Sequence, residues 1–290
     1  MGKPEWLVIT PRRTPAYDMV RGSVERLGIN TVCVEAKCPN IAECWSSGTA
    51  SLMVLGDLCT RGCRFCSVRK SARGAPVDPS EPGRVAEAVR VWGLKYVVIT
   101  SVCRDDLADQ GASHLAACIS AVKARNPDIV VEVLAPDFGC DQELIRMVVE
   151  ARPDVYGHNI ETVERLSALM RDRRASYRRS LEALLCAKRS GSRYTKSALM
   201  LGAGETQDEV LAALNDLRDA EVDFVAIGQY LKPTLAQLDV SEYIRPERFD
   251  ALRAEALGMG FKYVAAGPFV RSSYKAGEYF VMRAMGKIQE

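Results

Sequence analysis

Between residues 51 and 231, six short runs of apolar and β-branched residues alternate with amphipathic stretches of helical period, and this rhythm restricts the possible folds more than any other feature of the sequence. The runs are SLMVLGD, KYVVITS, DIVVEVLAP, DVYGHNIE, RYTKSALMLG and VDFVAIGQYL. Helices are expected near residues 83–92, 112–125, 141–151, 162–170, 176–190 and 206–220, with caps at Ser113, Asp141, Thr162 and Thr206. Strand-helix repetition is the pattern of an α/β fold around a parallel sheet. Right-handed crossovers curl six such units into a partial (β/α)6 barrel of TIM type with one side open. Three regions follow: an N-terminal extension (1–50), the partial barrel (51–235) and a C-terminal extension (236–290) with another helix, PERFDALRAEALGMG, and a short strand, FKYVAAG. The two extensions are expected to pack over the open mouth. Ligands of such folds sit at the carboxyl ends of the strands, so polar groups that follow strands are the first candidates.

Six of the ten cysteines fall between residues 33 and 66 in two tight groups. In a reducing compartment, thiols at such spacing serve metal binding rather than a disulfide framework. Cys59, Cys63 and Cys66 form C-x3-C-x2-C directly after the first barrel strand. Three thiolates on one short loop can hold three irons of a [4Fe–4S] cube and leave the fourth without a protein ligand from the motif. A structural zinc site closes with four ligands, commonly as two C-x2-C-like pairs, whereas this loop offers three at uneven spacing. With Phe65 before its last cysteine, the motif resembles the radical S-adenosylmethionine superfamily, whose open iron binds the amino and carboxylate groups of S-adenosylmethionine.

Cys33, Cys38 and Cys44 form C-x4-C-x5-C on the N-terminal extension. Glu35, Lys37, Asn40 and Glu43 interleave them with polar groups, which argues against core packing and for a second cluster. Together the two triplets resemble those of lipoyl synthases. The resemblance covers nearly the whole chain through KPEWL, EAKCPN, LCTRGCRFC, TSVCRDDLADQG, HNIETV, KSALMLGAGET, GQYLKPT and GPFVRSSYKAGE. It implies a sulfurtransferase of the radical type that inserts two sulfur atoms at carbons 6 and 8 of a protein-bound octanoyl group, giving the lipoyl cofactor. It also implies 5′-deoxyadenosyl radicals from S-adenosylmethionine and sulfide from a sacrificial auxiliary [4Fe–4S] cluster, hence two clusters per chain. Cys59, Cys63 and Cys66 then hold the cofactor-binding cluster. Cys33, Cys38 and Cys44 hold the auxiliary one with a serine of RSSY, either Ser272 or Ser273, with Ser273 preferred. The implied partners are octanoylated lipoyl-carrier domains or a glycine-cleavage H-type protein, a reducing electron donor and a cluster-repair protein.

The same resemblance assigns cofactor contacts to Thr100 and Ser101, Asn159 and Glu161, and Lys196 and Ser197. A capped loop accounts equally well for Thr100 and Ser101, while Asn159 and Glu161 alternate and so point to one side. Asp105, Asp106 and Asp109 read as a solvated loop entering a helix. His114 and His158 read as structural, and Cys103, Cys118, Cys140 and Cys186 as ordinary thiols. Arg171, Arg173, Arg174, Arg178 and Arg179 read as a solvated helix face that helps dock an acidic carrier.

Lys and Arg number 39 against 37 for Asp and Glu, so the basic excess of a nucleic-acid binder is missing. No apolar run reaches membrane-spanning length, and MGKPEWLVITPRR lacks the pattern of a secretory signal. A cytoplasmic protein without nucleic-acid or membrane partners is expected. The rivals are another sulfur-inserting radical enzyme and an electron-carrying two-cluster protein, though the latter is usually a small chain with four thiolates per cluster.

Overall fold

A computed structural model describes residues 4–8, 14–46 and 51–272. Its α-helices are α1 (Pro15–Leu27), α2 (Val32–Glu35), α3 (Ile41–Ser46), α4 (Glu81–Trp92), α5 (Ala112–Arg125), α6 (Gln142–Glu150), α7 (Glu164–Met170), α8 (Tyr177–Arg189), α9 (Gln207–Asp219) and α10 (Pro246–Gly258). The strands are β1 (Asn30–Thr31), β2 (Ser51–Val54), β3 (Leu58–Cys59), β4 (Arg69–Lys70), β5 (Tyr96–Ser101), β6 (Val130–Leu134), β7 (Val155–Gly157), β8 (Tyr194–Leu201), β9 (Phe224–Gln229) and β10 (Tyr263–Gly267). Strands β3 and β4 form a small parallel pair, and the rest form one sheet in the order β1-β2-β5-β6-β7-β8-β9-β10. Only β1 and β2 are antiparallel. Among the described residues nothing pairs β1 with β10, so the sheet is an open barrel.

The six expected strand-helix units all form, and two segments expected as coverings also extend the sheet. Asn30 and Thr31 pair with Met53 and Leu52, while β10 runs along β9 from Tyr263 opposite Phe224 to Gly267 opposite Gly228. Alternate residues on each strand divide between two faces. Val97, Ile99, Val131 and Val133 face outward, in one core with Val89 of α4 and Leu115 and Ile119 of α5. Leu199, Leu201, Val225 and Ile227 do the same with Leu214 and Leu217 of α9 and Phe249 and Leu252 of α10. Each such side chain contributes about 1.5–3 kcal/mol by leaving water. Inside the barrel, Tyr96, Val98, Val130, Val155 and Phe224 fill the end where the strands begin. The other end is left for the loops.

Two of the four expected caps are as read. Asp141 accepts from the amides of Glu143 and Leu144, and Thr206 closes a capping box with Glu209. Ser113 lies inside α5, where Asp109 accepts from its amide at 3.1 Å and from that of Gly111 at 3.0 Å. Thr162 precedes the N-cap Val163, and its buried hydroxyl has no partner among the described residues. No helix among the described residues is long and apolar enough to cross a membrane.

Candidate functional site: a cavity between two cysteine triplets

At the end of β2 the chain turns sharply. Leu55 takes a left-handed conformation (φ 67°), which a branched residue adopts only when its surroundings enforce it. Its amide donates to the buried Glu81 carboxylate at 2.9 Å, and the Nε2 atom of His114 sits 2.7 Å from the same oxygen. His114 thus supports this turn through Glu81.

The loop that follows carries Cys59, Cys63 and Cys66 and is tied down on several sides. Arg61 is 5% exposed and gives both its terminal nitrogens to Asp137 at 2.8 Å, while its other edge meets Asp105 at 2.9–3.2 Å. Asp105 also accepts from the Thr60 hydroxyl at 2.6 Å, so it is a structural anion rather than the solvated one expected. Asp172 accepts from the Gly62 amide at 2.6 Å, and its own amide points to the Cys63 sulfur at 3.4 Å. The Arg64 amide bonds to the Met170 carbonyl, and the Gln237 side chain to the Cys66 carbonyl. Loops at the ends of β5, β6 and β9, together with the turn after α7, thus hold the cysteine loop in place.

The N-terminal triplet rides on short helical pieces. Thr31 caps α2, the Cys38 amide bonds to the Cys33 carbonyl at 3.0 Å and the Cys44 amide to that of Asn40 at 2.9 Å. Asn40 is 1% exposed, and its side-chain amide donates to the Phe269 carbonyl at 2.7 Å, which fastens this segment to the C-terminal one. Gly228 permits the fastening, because a Cβ there would stand 2.1 Å from the Val270 carbonyl oxygen. Gly228→Ala is therefore expected to push residues 268–272 out of the barrel mouth. Hydrogen exchange of their amides should rise by about tenfold or more while the amides of β5 and β6 keep their protection.

All six clustered cysteines line one cavity of about 480 Å³. Burial pushes the thiols of Cys33 and Cys66 up to about 11, and metal binding would have to remove those protons. Cys59 moves the other way, chiefly through a hydrogen bond from the Cys103 thiol, which also lines the cavity. The donor set fits iron–sulfur clusters: three thiols in each group, with polar atoms left over around them. Asn40 Oδ1 and Ser101 Oγ are buried without a hydrogen-bond partner among the described residues, and both residues line the cavity.

The other expected contacts divide. Asn159 and Glu161 line the cavity and are joined at 3.2 Å, with Glu161 in a left-handed conformation (φ 68°) and its carboxyl raised by burial. Thr100 lines it too, but its hydroxyl is engaged by the Leu134 carbonyl at 3.0 Å. Ser272 lines the cavity, while Ser273 lies outside the described residues. Lys196 and Ser197 do not line it. Lys196 is paired with Glu132 at 2.8 and 2.9 Å, and Ser197 accepts from the Ile160 amide at 3.2 Å.

Arg171, expected on a solvated face, is instead 7% exposed and lines the cavity. It donates to the carbonyls of Ile160 and Ser176 at 3.3 Å and has no carboxylate partner among the described residues. Arg178 is already bound to Glu164 at 2.7 Å, which weakens its candidacy as a docking cation. His158 bonds through both ring nitrogens, to the Ala135 carbonyl and the Ser180 hydroxyl at 2.8 Å, and burial pushes its pKa down to about 4.

A model of the radical SAM superfamily matches residues 53–217. A mitochondrial lipoyl synthase 1 of Phaeodactylum tricornutum is 51% identical over 97% of this chain and 75% of its own length. A lipoyl synthase of an Anaeromyxobacter species is 51% identical over 96% of this chain and 95% of its own. Among solved structures, methylornithine synthase superposes with a TM-score of 0.56 over 86% of this chain and 81% of its own, at 14% identity. The Streptococcus suis protein SuiB bound to S-adenosylmethionine gives 0.59 over 87% of this chain and 56% of its own, at 9% identity. These last two bear on the fold alone. Sequence identity of this extent, over a barrel with these cysteine loops, means that the chain belongs to the lipoyl synthase family of the radical S-adenosylmethionine superfamily.

Proposed function

We propose that the chain inserts two sulfur atoms, at carbons 6 and 8, into an octanoyl group presented by a carrier protein. The observation that carries this reading is the convergence of two cysteine triplets on one cavity. Cys59, Cys63 and Cys66 would hold a [4Fe–4S] cluster with an iron open to S-adenosylmethionine; Cys33, Cys38 and Cys44, with Ser272 or Ser273, would hold a second. When bound, these groups supply reductive cleavage of S-adenosylmethionine and a store of sulfide.

Saturated carbons offer no handle to a base or a polar nucleophile, so the work of the protein's own residues is positional. Glu161 and Asn159 line the cavity and would meet the cationic end of the cofactor, and Arg171, which lines it too, would offer a guanidinium to its carboxylate. Met53, Val98, Leu134 and Met200 form an apolar wall that excludes water and stray hydrogen donors. His158, bonded through both nitrogens, is a fixed part of the cavity wall. A reducing electron donor and a cluster-repair protein complete the cycle, in a cytoplasm whose reducing conditions keep the cysteines out of disulfides and open to iron.

The reconstituted protein should hold about eight irons, release 5′-deoxyadenosine and add two sulfurs to an octanoyl carrier peptide, read by mass spectrometry. Cys38→Ala should keep about four irons and cofactor cleavage but add no sulfur. Cys63→Ala should lose both activities. A doubly sulfurated product from Cys38→Ala would refute the second cluster, and absence of 5′-deoxyadenosine from the unmodified protein would refute the radical reading.

A further inference from the structure

The cavity reaches deeper into the barrel than the loop carrying Cys59, Cys63 and Cys66, and descends to about the level of Cys33, which bonds to the Ser51 backbone opposite Val98. Tyr96, Val98 and Thr100, the inward-facing residues of β5, all line it, so it descends to the level of that strand's first residue. Val32, Met53, Leu134 and Met200 add apolar surface from the N-terminal segment, β2, β6 and β8. The descent stops at Tyr96, which is 4% exposed and packs with Val130, Val155 and Phe224 at the base of the barrel. Its phenol donates to Glu132, and Lys196 grips both oxygens of that carboxylate. Two charges here have left water at a cost of several kcal/mol each, where apolar side chains would pack as well. What they add is fixation: the ring cannot swing aside without breaking a hydrogen bond to a buried anion.

We propose that Tyr96 is the acyl-length stop of the substrate pocket, a specificity-determining residue kept in place by Glu132 and Lys196. The proposal rests on reading the cavity as an octanoyl site. Two particular carbons of a uniform methylene chain must be presented, and no polar group marks them. Their position is fixed by the attachment point at one end and by a wall at the other. A displacement of about 1 Å at the reacting carbon can cost about a hundredfold in rate, so the wall has to be rigid.

The test is calorimetric binding of carrier peptides bearing hexanoyl, octanoyl, decanoyl or dodecanoyl groups to the reconstituted enzyme with S-adenosylmethionine and no reductant. For the unmodified enzyme, affinity should rise about fourfold per methylene up to eight carbons and then fall. In Tyr96→Ala and Tyr96→Val the maximum should move to ten carbons, changing the decanoyl-to-octanoyl ratio by about tenfold or more. Tyr96→Phe keeps the ring and should keep the maximum at eight. Cleavage of S-adenosylmethionine by each variant reports that its fold is intact. An unchanged maximum in the two small variants, with cleavage retained, overturns the stop and leaves the octanoyl reading standing. If acylated and bare peptides bind the unmodified enzyme equally, both fall.

Discussion

Arg61→Gln will lower the unfolding free energy by about 3–5 kcal/mol, because it leaves the Asp137 carboxylate, which the fold has taken out of water, without its cation. Asp137 is fully buried and receives both terminal nitrogens of Arg61 at 2.8 Å, and Asp105 takes the other edge of the same guanidinium. Lysine cannot serve two carboxylates in this way, so Arg61→Lys should recover less than half of the loss. Acid sensitivity should change as well. Burial alone would raise the Asp137 carboxyl, but the Arg61 hydrogen bonds and charge outweigh it and hold the group at about 2. In the unfolded chain an aspartate titrates near 4, so the folded state binds fewer protons between these values. The contribution is complete above about pH 4 and is lost as the pH falls toward 2. Without Arg61, burial is opposed chiefly by the Gly139 amide at 2.9 Å, and the acid limb of the stability curve moves up. Urea unfolding of the apoprotein across pH measures both effects, and an unchanged midpoint would show that the network contributes nothing.

Why this network is invisible in the sequence is a matter of distance along the chain. The cysteine triplets are legible because three thiols on one loop define a ligand set by local spacing alone. Arg61 finds Asp137 across 76 residues, Gly62 finds Asp172 across 110 and Asn40 finds Phe269 across 229. No periodicity connects them. The six strand-helix units are legible because a β-branched run and an amphipathic stretch each carry their own period. Asn30–Thr31 is too short to have one, and it is a strand only because β2 offers it an edge. Arg171 shares a run with exposed arginines, yet it closes the turn after α7 and points inward, which composition cannot distinguish.

Lys196 tests the limit of resemblance most directly. It lies on the inward face of β8, two positions before Ala198 and four before Met200, and only Met200 of the three reaches the cavity. The physical reading is that it neutralises Glu132, which is 1% exposed and already accepts from Tyr96. Lys196→Met should then cost about 3–5 kcal/mol, since an unpaired carboxylate remains inside the barrel. Adding Glu132→Leu should return about half of that loss. A deficit of about 1–3 kcal/mol would be left, because the Tyr96 hydroxyl loses the Glu132 carboxylate as acceptor. Affinity for S-adenosylmethionine separates this reading from a direct contact with the cofactor. A lysine that only balances charge can be removed together with its partner, and equilibrium binding should stay within about threefold of the unmodified protein. A lysine that touches the cofactor takes a charged hydrogen bond with it, worth about 1.5–3 kcal/mol, and affinity should fall by about tenfold or more even when stability is restored. The double variant, with its stability and its affinity measured on the same preparation, decides between them.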